Sequence, residues 1–263
     1  MEEAQRSYSK AGGVLLAFGL TVLAILAAEI LTLPAIIADP ALFQDPGAAS
    51  RWSITSLMVL NFMGFFLVGA AYLWLTDRGW SFVDLSRPSL VDVAYVVGGT
   101  IATLGVLILA GIVAEVIGIE PTESQVVEFV EGDPTMVLIM IAIVFLFNAP
   151  AEEFLFRNVI QKRLYLAFSR VGAIGVTSVI FALIHAPVFA LDETGALASA
   201  DAVFLSLTII FLGSIVFGYI YAKTDNILVP IAAHALYNAV QFGLLYLELV
   251  LDDVPAVLTV VAV

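Results

Sequence analysis

The sequence predicts an all-α protein, a polytopic membrane helical bundle of about seven to eight transmembrane helices. Three observations predict it. The 263 residues are 62% hydrophobic and 13% charged, whereas a soluble globular chain is nearer half apolar and a quarter charged. The mean hydropathy is +1.07. The apolar residues fall in runs near the ~20 residues that cross a bilayer, separated by connectors rich in Pro, Gly, Asp and Ser. No stretch shows the alternating segments of about ten residues that a membrane barrel requires.

The first run, Gly13–Ile37, follows "MEEAQRSYSK" and is too long for a signal-peptide core, so it reads as a first crossing with no cleaved signal. "ADPALFQDPGAASR" separates it from Ile54–Leu75, and "DLSRPSLVD" precedes Val93–Ile117. "IGIEPTESQ" leads towards Met136–Arg157, which is followed by the shorter Val171–Pro187. "LDETGALASAD" introduces Val203–Ala222, and "KTDN" turns the chain into Ile227–Leu249. The last apolar run, Val254–Val263, is short for a crossing, and an eighth helix depends on it. With no repeat in view, residues 1–263 read as a single integral membrane domain.

The formal net charge is −13, which excludes the basic face that a nucleic-acid partner would need. Such acidity suits a surface solvated in high salt, as in a halophile. The chain has no cysteine, so disulfides, thiolate metal sites and cysteine nucleophiles are excluded. Lysine and arginine set the orientation. Arg6 and Lys10 precede the first helix, Arg78 and Arg87 follow the second, Lys162, Arg163 and Arg170 follow the fourth, and Lys223 follows the sixth. The intervening connectors hold Arg51 alone. This alternation predicts a multi-pass cell-membrane protein with a cytoplasmic N-terminus, and the lipid bilayer is its first partner.

Against this background "NAPAEEFLFR", Asn148 to Arg157, places two carboxylates and a guanidinium beside a run reading "MVLIMIAIVFLF". Glu153 and Arg157, four apart, share a helix face with the acid first, the favourable order. Glu152 points elsewhere, on the face of Asn148 and Phe156. Glu153 is thereby neutralised, and Glu152 is left as a reactive or ligating group that needs a wet cavity. Pro150 removes an amide donor and opens the helix locally. The chain's two histidines, His185 and His234, both sit in apolar helical segments, and Asn238 follows His234 by one turn. Counted from the basic breaks, Glu152 lies ~15 Å deep, His234 ~12 Å and His185 ~20 Å, so these groups can meet on the basic side of the midplane. Glu115 and Glu248 fall near helix ends and read as interfacial, while Glu29 lies deeper.

In chain order "EEFLFR", "FALIH" and "HALYN" fit E-E-x-x-x-R, F-x-x-x-H and H-x-x-x-N. On these residues the sequence resembles the CAAX-protease and bacteriocin-processing (CPBP) intramembrane peptidases, which include the type II CAAX prenyl endopeptidases. The resemblance covers Phe145 to Phe242, within a motif-bearing core at about 136–249. It implies an intramembrane endopeptidase acting on a membrane-associated protein or peptide substrate, with prenylated CAAX proteins the best-known class. It further implies that Glu152 with His185 activates water, that His234 and Asn238 stabilise the oxyanion, and that Glu153 and Arg157 hold the architecture. With the basic connectors inside, substrate is expected from the cytoplasmic leaflet. Glu152, His185 and His234 are also a zinc ligand set of the hydrolase kind. Without H-E-x-x-H, the reading favours no cofactor, with zinc as the alternative. The alternative function is a non-catalytic scaffold or transporter using the same buried polar cluster. Transporters tend to show broken helices in repeated halves, and this sequence shows no such halves.

Overall fold

The computed structural model of the protein describes residues 9–119, 122, 126–130, 132–191 and 196–251. Arg6 and the run Val254–Val263 lie outside the described residues. Among the described residues seven apolar helices make up the architecture: α1 Lys10–Ala38, α2 Arg51–Leu75, α3 Leu90–Ile117, α4 Pro134–Leu164, α5 Arg170–Ile184, α6 Ala200–Thr224 and α7 Leu228–Val250. All but α5 are long and apolar enough to cross a bilayer, and the protein is a multi-pass membrane protein.

The helix starts are written in the sequence. Ser9, Ser50, Ser89, Ser169 and Ser199 each accept a backbone N–H of the first turn they precede, satisfying a donor that the helix leaves unpaired. Asp133 does the same for α4, ahead of Pro134 in the first turn. Arg51 pairs with Asp133 and, by hydrogen bonding to it, holds that carboxyl below the usual carboxylate range. Gly118, at φ 70°, ends α3 in the left-handed region where a side chain would be strained.

Two boundaries differ from the sequence reading. α4 continues past Arg157 to Leu164 because Asn158 and Gln161, both fully buried, find partners inside the protein. Gln161 Nε2 donates to Gly218 O at 2.9 Å and to Tyr165 Oη at 2.8 Å. Asn158 Oδ1 accepts the Asp84 amide at 2.9 Å. α5 stops at Ile184 rather than Pro187, and His185 caps it before the tight turn Ala186–Phe189. Pro187 has no amide donor with which to extend the helix.

The connectors gather at two ends of opposite character. The start of α1 and the links α2–α3, α4–α5 and α6–α7 form a basic end. The other three links form an acidic end. The basic end is fastened around Asp84. Lys162 Nζ and Tyr221 Oη each donate to its carboxylate at 2.6 Å, and its backbone carbonyl accepts Ile227 N–H at 2.7 Å. Asn226 Nδ2 adds a bond to Ser86 O at 3.2 Å, and Arg170 pairs with Asp225.

α1 and α2 pack through small residues, as membrane helices do when backbones must approach closely. Ala24 and Ala28 are buried against α2, and a Cβ on Gly64 would lie 2.4 Å from the backbone nitrogen of Ala28. Gly64→Ala therefore forces the two helices apart. It is expected to cost about 1–3 kcal/mol in thermal unfolding of the detergent-solubilised protein. Gly19→Ala, whose added Cβ meets nothing within 4 Å, is expected to stabilise by roughly 0.5–1 kcal/mol.

Candidate active site

The site is built on a distorted stretch of α4. The segment Ala149–Glu153 is regular helix, flanked by wider π turns at Val144–Asn148 and Phe154–Gln161. Across them Ala149 N–H donates to Val144 O and Lys162 N–H to Arg157 O, each five residues back. Pro150 has no N–H and its ring crowds the preceding turn, and the wider turn relieves that conflict. The result is a helix whose inward face carries Asn148, Glu152, Glu153 and Arg157 together, all buried.

Glu153 and Arg157 are fully buried and paired, with Nε donating to Oε2 at 2.8 Å. Arg157 Nη2 donates to Ser214 Oγ of α6 at 3.0 Å, and the guanidinium lies 5.3 Å from the centre of the Phe181 ring. The second oxygen of Glu153 reaches α7, where His234 Nδ1 lies 3.0 Å from Oε1. A carboxylate only accepts, so Nδ1 carries the proton and donates it. That fixes the ring with Nε2 towards Glu152 Oε2, 4.0 Å away. Phe217 stacks on the imidazole at 4.9 Å and completes its seat.

His185 is held differently. Its Nδ1 lies 2.7 Å from Phe181 O, an acceptor, so this ring also donates from Nδ1 and leaves Nε2 free. Asn238 Nδ2 donates to Asn148 Oδ1 at 3.1 Å, and Asn148 lies beside the Glu152 carboxylate. Glu152, His185, His234 and Asn238 all line one cavity of ≈ 1340 Å³. The structure thus brings together all six residues singled out in the sequence, four on the cavity wall and Glu153 and Arg157 behind it.

Three residues were not singled out as site residues in the sequence. Asn148 joins Asn238 to the Glu152 face, and its spacing four before Glu152 is the signal that could have found it. Ser214 and Phe217 come from α6, where nothing local distinguishes them from packing residues. Among the described residues no three His, Cys, Asp or Glu side chains are placed to share a metal ion.

The cavity runs towards the acidic end, where Ile119, Thr122, Phe129, Phe189 and Ser199 of the connectors line it. Among the described residues none of the lining comes from the connectors of the basic end. Access from the basic end, the expectation from the sequence, has no counterpart among these lining residues.

Residues 134–240 match the family model described as type II CAAX prenyl endopeptidase Rce1-like. The matched segment runs from α4 into α7 and contains every motif residue, so over this part the chain is similar to that family. No curated protein and no solved structure matches the chain.

The geometry separates the two adjacent acids. Glu153→Gln strands a buried guanidinium, and breaking such a pair costs about 3–5 kcal/mol. It is expected to lower the unfolding temperature in detergent sharply. Glu152→Gln faces the cavity, keeps the side-chain shape and is expected to unfold at the temperature of the unaltered protein.

Proposed function

We propose that this protein is an intramembrane endopeptidase that hydrolyses a peptide bond of a membrane-associated protein or peptide by metal-free water activation. The observation that carries the proposal is the disposition of Glu152. Its carboxylate faces a cavity, 4.0 Å from an imidazole nitrogen whose ring is locked from behind by Glu153. That separation is too long for a direct hydrogen bond and suits a bridging water.

In the proposed reaction Glu152 takes a proton from the water as its oxygen adds to the scissile carbonyl carbon. His185, with its Nδ1 proton committed to Phe181, presents Nε2 as an acceptor that orients the same water. The carbonyl oxygen becomes an oxyanion. When its Nε2 also carries a proton, His234, held at Nδ1 by the Glu153 carboxylate, donates to it from Nε2. Asn238 offers its second amide hydrogen. Glu152 then returns the proton to the leaving nitrogen as the C–N bond breaks, giving a carboxylic acid and an amine. Donors preset in a water-poor site are worth far more than in bulk water. The wall also carries Phe62, Phe65, Leu107 and Phe129, which can lie against the apolar part of a lipid-modified substrate such as a prenylated one.

The test is cleavage of membrane-anchored peptides by purified protein, with products read by mass spectrometry. Glu152→Gln and His185→Ala are expected to abolish product, and Asn238→Ala to slow it by about 10²–10³. Full activity of Glu152→Gln would refute the assignment and favour the scaffold or transport alternative. Chelation is expected to leave the rate unchanged; loss of activity restored by zinc would overturn the metal-free reading.

A further inference from the structure

We propose that Asn61 and Gln241 form a subsite that grips the main chain of the bound peptide, pairing with its backbone N–H and C=O groups beside the scissile bond. The proposal deepens the peptidase reading and rests on it for the identity of what is bound.

Three observations carry it. The first is position. Gln241 follows His234 by seven residues and Asn238 by three on α7, so the three side chains share a helix face, and all of them line the cavity. At 1.5 Å per residue Gln241 stands ~4.5 Å along the helix from Asn238. Asn61 lies on the α2 face that carries Ile54 and Met58, which pack with Met140 and Phe242, and it lines the same cavity. One turn further along α2, Phe65 lies 6.4 Å, ring centre to ring centre, from Phe156, itself one turn past Glu152 on α4. The two helices run in the same direction, so Asn61 comes within about one turn, ~5.4 Å, of the level of Glu152.

The second observation concerns partners. Asn61 and Gln241 are half-buried, and neither carboxamide makes a hydrogen bond among the described residues. A polar side chain in a membrane bundle commonly bonds a neighbouring helix, as Asn238 does with Asn148. These two are left to bond what occupies the cavity. The third observation is the apolar wall around them, which includes Ile25, Met58, Phe62, Ile143 and Phe242. A peptide lying among such side chains gives up the water that satisfies its backbone, and each group left unpaired is costly. A carboxamide carries two donors and an acceptor, the complement of a peptide unit. An extended strand rises ~3.3 Å per residue. A carboxamide one helical turn from the reacting groups therefore meets a peptide unit one or two residues from the bond that is cleaved.

The test uses the full chain in detergent and a fluorescent prenylated CAAX-type peptide, with versions N-methylated at one backbone nitrogen at a time around the scissile bond. Asn61→Leu and Gln241→Leu are each expected to raise KM about tenfold, because the peptide group they pair with is left buried without a partner. The value of kcat should stay within about twofold, as for a contact made equally before and during the reaction. The unfolding temperature should not fall, since neither carboxamide bonds within the protein. For each variant one N-methyl position is expected to raise the KM of the unaltered protein by a similar factor and to add nothing on that variant. An unchanged KM, a fall in kcat at constant KM, or N-methyl effects that all multiply with those of the variants would overturn the proposal. Absence of product from the unaltered protein would instead sink the peptidase reading. The same peptides are then followed by fluorescence anisotropy, which requires no cleavage, and there the variants are expected to raise Kd by the same factor. Equal or undetectable binding would overturn the subsite as well.

Discussion

The structure turns on one carboxylate shared by two hydrogen-bond donors. Glu153 accepts from Arg157 along its own helix and from His234 across the bundle, with no exposure to solvent at Glu153 or Arg157. Two ions in an apolar interior lose most of their hydration, and their attraction alone repays little of it. What the arrangement supplies is position. Arg157 carries the connection on to Ser214, so α4, α6 and α7 meet in one register. The imidazole of His234 is oriented by the same contacts, with Phe217 against its face. Moving any of the three helices along its axis would leave a buried charge without a partner.

The polar interior then divides by helix turn. Towards the acidic end the inward polar groups border a cavity; towards the basic end Asn158, Gln161, Tyr221 and Asp84 hydrogen-bond within the protein. The same face of α4 is therefore reactive in one half and sealing in the other. This division explains how a helix bearing so many polar side chains remains continuous in an apolar setting.

Much of the fold was legible because length and hydropathy are strong constraints in a bilayer, and serine caps mark most helix starts. The end of α4 was not legible. Asn158, Gln161 and Lys162 look like the start of a loop, and only partners distant in sequence make them helical and buried. In the site, Glu153–Arg157 followed from spacing on a single helix. Its extension to His234 did not, because helical periodicity carries no information across helices. The direction in which the cavity runs was not readable from the sequence. A cavity's direction depends on which side chains fill each end of the bundle, and the charges at the ends do not specify that.

The π turn at Val144–Asn148 has a consequence for how this helix tolerates change in length. Such a turn holds one residue more than a regular turn needs. Removing a single residue there would let the backbone close into ordinary helix with its hydrogen bonds kept. The two flanks would keep their phase, because the wide turn with its surplus residue spans about the same rotation as a regular turn without it. Forcing these residues into regular helix with none removed would instead rotate everything before them by about 100° relative to Glu152, and the apolar stripe of Met136, Val137, Met140 and Ile143 would turn out of its packing. The wide turn thus acts as a phase setter, keeping the greasy half of α4 and its chemical half in step.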